Sequence, residues 1–116
     1  MARFTTILKY LRFDVKSTRR NRVSEDKFAA IRDIFEMFRA NCNTKYSPNI
    51  QLTADEQLLP CKCRCKFISF MPNKPDKYGI KFFLLVDVET KYVVNIIPYL
   101  GADPRPSDIS FSENLI

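Results

Sequence analysis

The run from Ile80 to Val88 constrains the fold more than any other stretch of the chain. In an extended backbone Ile80, Phe82, Leu84, Val86 and Val88 share one face while Lys81, Phe83, Leu85 and Asp87 share the other, so both faces are largely apolar. A strand of that kind needs cover on both sides and belongs in the middle of a sheet. The Val- and Ile-rich run Tyr92 to Pro98 follows too soon for a crossover, so the two strands form an antiparallel hairpin. Their turn lacks the Asn-Gly or Asp-Gly pair that marks the tightest hairpins.

Upstream, Gln51 to Leu58 alternates differently, with Leu52, Ala54, Glu56 and Leu58 on one face and Gln51, Thr53, Asp55 and Gln57 on the other. Asp55 therefore points to the polar side. Glu56 falls on the apolar side, where it has to pair with a basic group or lie near a strand end. Phe67 to Phe70 is a brief apolar run. Met71 to Gly79, with two prolines and a glycine, reads as a rigid extended connection that is neither helix nor central strand.

The first part of the chain carries helical periodicity. Phe4, Ile7, Leu8 and Leu11 mark an amphipathic helix. Lys16 to Arg22 has no apolar period and reads as an exposed basic loop that could also serve as a weak nuclear address. Ser24 is placed to cap a second helix, with Glu25 and Asp26 in its first turn. Phe28, Ile31, Ile34, Phe35 and Phe38 write one apolar core stripe, and that helix runs out near Ala40 and Asn41. Asn43 to Pro48 is then a polar turn.

Size and charge limit what such a chain does. At 116 residues it has room for one small domain, and the 46% hydrophobic content is that of a folded protein. No apolar run approaches the roughly 20 residues that span a bilayer, and the first residues begin no signal peptide, so the expected setting is intracellular. The net charge of +6 is carried entirely by residues 1–23, where seven basic side chains stand against Asp14 alone. A second basic cluster comprises Lys62, Arg64, Lys66, Lys74, Lys77 and Lys81. Such patches suit phosphate backbones, although charge runs more often simply face solvent.

Cys61, Cys63 and Cys65 raise the question of metal. In an extended strand their sulfurs would sit on one face about 7 Å apart in sequence order, awkward for one tetrahedral zinc ion. With no histidine in the chain and only Cys42 as a fourth thiol, reduced thiols are the expectation.

Several blocks together resemble the piggyBac transposase family. They are Leu52-Thr53-Ala54-Asp55-Glu56-Gln57-Leu58-Leu59, Arg64-Cys65, Pro72-Asn73-Lys74-Pro75 with Lys77-Tyr78-Gly79-Ile80-Lys81, Thr90-Lys91-Tyr92 and Pro98-Tyr99-Leu100-Gly101. Leu11-Arg12-Phe13-Asp14 with Lys16-Ser17 resembles the region leading into that family's catalytic core. Where the family often has glycine and arginine before Arg64-Cys65, this chain has Pro60-Cys61-Lys62-Cys63.

The resemblance implies an α+β fold in which two N-terminal helices precede an incomplete ribonuclease-H-like sheet, made of its first three strands with an antiparallel hairpin. Residues 1–50 would form a helical basic lead-in, 51–101 the partial core and 102–116 a truncated tail, in which Ser110 to Ile116 reads as a capped helix start. By the same resemblance Asp55 is the first catalytic aspartate and a metal ligand for Mg2+ in cut-and-paste DNA transposition. Such reactions use several separated acids to hold two ions during phosphoryl transfer. No position here matches the later acids; Asp87, Asp103 and Asp108 do not stand in their motifs. Mg2+ is therefore expected to bind weakly, and the chain alone is expected to be inactive.

DNA is the implied partner, through Arg12, Lys16, Arg19, Arg20, Arg22, Arg64, Lys74, Lys77 and Lys81, and the nucleus is the implied location. With no fourth strand to cover it, the Asp55 strand should be an open edge that invites another chain. The alternative reading is a domesticated, non-catalytic DNA-binding or interaction module.

Overall fold

The computed structural model describes residues 2–101, in the order α1 (Ala2–Tyr10), α2 (Lys16–Glu25), α3 (Arg32–Thr44), β1 (Leu52–Pro60), β2 (Ile68–Phe70), β3 (Tyr78–Asp87) and β4 (Val93–Pro98). The expected tail helix start at Ser110, with Asp103 and Asp108, lies outside the described residues. The fold is α+β, with three helices preceding a four-stranded antiparallel sheet. Contacts cluster into two compact units that divide between Glu36 and Met37.

In the first unit α1 forms where the apolar period predicts it, with Phe4, Ile7, Leu8 and Leu11 all exposed. The basic stretch from Lys16 is helix α2 rather than loop. What the periodicity rule missed is a polar cause. Asp14, just before the helix, accepts from both Arg19 Nε and Arg22 Nη2, and Arg22 Nη1 reaches on to the Ala29 carbonyl at 2.9 Å. Those ties hold one helical face without any apolar stripe.

Ser24 is consequently in the last turn of α2 and caps nothing downstream; its hydroxyl donates to the Asn21 carbonyl. Asp26 takes the junction instead. Its backbone N–H closes α2 on the Arg22 carbonyl, while its carboxylate accepts from the Phe28 amide at 2.9 Å and from Arg32 Nε at 2.8 Å. Arg32 also lies over the Phe28 ring at 5.1 Å, and Phe35 meets that ring edge-on at 5.1 Å. Only Phe28 of the expected core stripe is buried; Ile31 and Phe38 are exposed. α3 starts at Arg32 and continues to Thr44, past the expected end at Ala40 and Asn41.

In the second unit β3 is central, as its two apolar faces require. β1 lies along one side, with Leu52 opposite Asp87 and Pro60 opposite Gly79. On the other side β4 pairs with the second half of β3 and β2 with its first residues. β2 is a strand that the sequence marks only as an apolar run. Met71 to Lys77 is the loop of a β2–β3 hairpin rather than an extended connection, closed by the Met71 N–H donating to the Lys77 carbonyl at 2.8 Å. β1 pairs only with β3 among the described residues, so its outer edge is open. The buried core is small, built on Leu85 and Val94 with Tyr46, Phe83, Tyr92 and Ile97 packed around them.

Gly79 is required by its neighbour. A Cβ there would stand 2.8 Å from the Leu59 carbonyl carbon and 3.1 Å from Leu58 Cγ, closer still to the Leu59 oxygen. Glycine lets the ends of β1 and β3 close on each other at the Pro60–Gly79 pair.

Candidate functional site

The acids of β1 diverge as alternation dictates. Asp55 lies opposite Leu84, on the face that Leu85 does not share, and is exposed, with its Oδ1 accepting from the Glu56 amide at 2.7 Å. Glu56 is on the other face and finds the basic partner that its position demands. Lys81, one step diagonal across the β1–β3 ladder, places Nζ 2.7 Å from Glu56 Oε2. The same ammonium stands 4.8 Å from the Phe83 ring centroid and 5.3 Å from that of Tyr99. Lys74 Nζ approaches the Glu56 carbonyl oxygen at 3.4 Å.

Those contacts divide the cations that the sequence offers to nucleic acid. Lys74 and Lys81 converge on Glu56, and Arg19 and Arg22 converge on Asp14. The guanidinium groups hold the Asp14 carboxyl below its usual range, Arg19 first and Arg22 second. Arg12 curls back so that Nη1 donates to the carbonyls of Lys9 and Leu11, both at 2.8 Å. Lys16 and Arg20, four apart on α2, share an exposed face; Arg64 and Lys77 are exposed in the second unit. Within the first unit Arg19 and Arg22 gather on Asp14, and within the second Lys74 and Lys81 gather on Glu56 while Asp55 faces the other way.

Asp87 is the most tightly held acid, and sequence reasoning gave it no role. It is fully buried. Its Oδ1 accepts from the Glu89 and Thr90 amides, each at 2.9 Å, and its Oδ2 from the Asn49 amide at 2.8 Å and the Tyr46 hydroxyl at 3.1 Å. These donors, led by the Thr90 and Asn49 amides, hold its carboxyl far below the ordinary range against the opposing effect of burial. Tyr46 stacks on Tyr92 at 4.2 Å and meets the Thr90 hydroxyl at 2.7 Å. Asp87 therefore ties the segment before β1 to the β3–β4 turn, and all its acceptor capacity is spent structurally.

That turn also explains the missing Asn-Gly pair. Lys91 takes the left-handed conformation with φ 63°, and the Asp87 side chain supplies the order that an Asn-Gly turn would otherwise give. An Asp two and three residues before amides that it can reach was the one available signal.

The cysteines depart from their predicted spacing. After Pro60 the backbone leaves the strand, and Cys61 Sγ lies 2.6 Å from Cys63 Sγ, which lies 3.6 Å from Cys65 Sγ. All are free thiols. Among the described residues no three His, Cys, Asp or Glu side chains are grouped so as to hold a metal ion. Asp55 thus offers one carboxylate, and the described residues do not by themselves make a divalent-ion site. No helix among them is long and apolar enough to cross a membrane.

Comparison with known proteins defines the class. The family model described as Transposase IS4 matches residues 1–115. In the solved structures, the cryo-EM structure of the piggyBac transposase synaptic complex with hairpin DNA matches 97% of this chain at 38% identity, with a TM-score of 0.85. The chain belongs to the piggyBac-type Transposase IS4 family. It spans 24% of the length of that piggyBac transposase chain. Transposases of this family generally use divalent metal.

Proposed function

We propose that this chain is the leading part of a ribonuclease-H-like transposase core, with Asp55 its first metal-binding carboxylate and DNA its partner in the nucleus. The observation that supports this best is the exposed Asp55 carboxylate on an edge strand, inside a segment that follows the piggyBac transposase over 97% of its length. An acid serving only the fold would be expected to be bonded in the manner of Asp87. The open edge of β1 would accept a further strand, from a longer polypeptide or from a second chain.

One carboxylate binds Mg2+ poorly without others and without substrate phosphates. The 116-residue polypeptide will therefore bind DNA without cutting it. Incubation of supercoiled plasmid with the purified polypeptide and Mg2+ or Mn2+ checks this; nicking that persists in Asp55→Ala would overturn the assignment of Asp55.

DNA binding is tested by fluorescence anisotropy across a salt series. Phosphate-dominated affinity falls linearly with log salt, with a slope of about −0.9 per contacted phosphate. Lys16→Ala with Arg20→Ala should flatten the slope by about 1.8 if both contact phosphates. Arg19 and Arg22, engaged by Asp14, should contribute less. Absence of any binding at low salt would remove DNA as the partner of this chain and with it the binding-module alternative.

A further inference from the structure

The loop after β1 carries chemistry that DNA binding does not use. Cys61 and Cys63 line a cleft of about 530 Å³ together with Lys62, Asp76, Lys77 and Tyr78. Cys63 is exposed, Cys61 and Cys65 are half-buried, and Lys62, Arg64 and Lys66 alternate with the thiols. The remaining thiol, Cys42, is buried on α3.

Sulfur spacing decides between two uses of this cluster. A tetrahedral ion with metal–sulfur bonds of about 2.3 Å keeps its sulfurs roughly 3.8 Å apart. Cys63 and Cys65, 3.6 Å apart, meet that spacing, but the Cys61–Cys63 separation of 2.6 Å is more than an ångström too short and no three ligating side chains are grouped among the described residues. The two thiols are in direct contact, as the partners of a disulfide of about 2.05 Å must be before they bond. Residues 61–65 belong to no helix or strand, so closing the bond breaks no strand pairing.

We propose that Cys61 and Cys63 form a reversible oxidation site for anionic low-molecular-weight disulfides of the glutathione type. The surrounding cations supply the preference for an anionic reagent. Cys63 lies between the other two sulfurs and touches both, so Cys61, at the end of the row and lining the cleft, is the entering thiol and Cys63 the resolving one. Cys61 Sγ attacks one sulfur of the small disulfide; a mixed disulfide forms and one small thiolate leaves with the Cys61 proton. Cys63 Sγ then attacks Cys61 Sγ, and the second small thiolate leaves with the Cys63 proton. The protein loses two electrons and two protons, and the small disulfide is reduced to two thiols. Cys65, at 3.6 Å from Cys63, is the more distant alternative partner.

Oxidised glutathione added to the purified 116-residue polypeptide tests the proposal, with thiol titration and intact mass as readouts. Two of the four thiols should be lost, with a mass decrease of two hydrogens and no retained glutathionyl group. Cys63→Ser should stop at the mixed disulfide, and Cys65→Ser should behave as the wild type. Far-UV circular dichroism confirms that each variant is folded. The reaction should run on the order of tenfold faster than with the cationic disulfide cystamine. Only retained adducts, loss of the intramolecular product in Cys65→Ser instead of Cys63→Ser, or protection of the thiols by stoichiometric zinc would overturn the site. Equal rates with cystamine would overturn the anionic class.

Discussion

Gly79→Ala is the sharpest test of how β1 is held. The new methyl carbon would stand 2.8 Å from the Leu59 carbonyl carbon, whereas ordinary contact begins at 3.4 Å, so the strands must part by at least about 0.6 Å. The obstacle is backbone, which has no rotamer into which to retreat, and it sits at the last pair of the β1–β3 ladder. Overpacking of this kind costs about 1–3 kcal/mol, and a backbone obstacle places the cost in the upper half of that range. For a domain of this size each kcal/mol moves the melting temperature by roughly 4–8 °C, so a drop of about 10–20 °C is expected. Thermal unfolding followed by circular dichroism measures it, with Thr53→Ala on the exposed face of β1 as a control expected within about 0.5 kcal/mol of the wild type. If Gly79→Ala melted within about 2 °C of the wild type, the close approach of these strands would be wrong, and with it the register that presents Asp55.

Further outcomes follow from the other ionic contacts. The Asp87 carboxyl is depressed in the folded state, so its contribution to stability is complete above the unfolded value of about 3.9 and is lost as pH falls below that toward the folded value. Chemical denaturation from pH 7 down to pH 2 should show stability declining below about pH 4, and Asp87→Asn should be less stable at neutral pH with a flatter acid profile. Glu56 and Lys81 are both partly exposed, at 37% and 21% of their side chains, so their ion pair contributes only about 0.2–1 kcal/mol. Glu56→Gln should therefore cost no more than about 1 kcal/mol in urea denaturation, and the difference should shrink in about 1 M salt.

How far the sequence reveals the fold depends on what holds each element. β3 and β4 are held by apolar burial, which writes a period of two into the residues, and they fall where that period puts them. β1 is legible for the same reason, down to the opposite faces of Asp55 and Glu56. α2 is held by Asp14 gripping Arg19 and Arg22, and pairing between charges leaves no hydrophobic period to read. Ser24 has the chemistry of a helix cap, but the Asp26–Arg32 pair sets the start of α3 later. The cysteine spacing misleads because Pro60 ends the strand, and a two-residue step then no longer fixes the distance between sulfurs. The part played by Asp87 depends on Tyr46 and Asn49, which lie 41 and 38 positions away in the chain. Only the three-dimensional arrangement brings them to one carboxylate. The motif around Asp55 carries the family in its residue order, while the sharing of its neighbouring lysines with Glu56 becomes visible only across the β-ladder.

The Asp87 junction also implies an order of assembly. The β3–β4 turn is local and can close within microseconds, whereas the Asn49 bond closes a loop of 38 positions and carries the larger entropic cost. On loop length alone, the carboxylate should gather the Glu89 and Thr90 amides before Asn49 and Tyr46 reach it. β1 closes shorter loops than that, from 19 positions at the Pro60–Gly79 pair to 35 at Leu52–Asp87, so it should zip along β3 from its Pro60 end before the Asn49 bond forms. The segment before β1 is in this sense the late arrival: substitutions at Tyr46 and Asn49 should mainly accelerate unfolding, while those in the β3–β4 hairpin should slow folding, as stopped-flow rates would show.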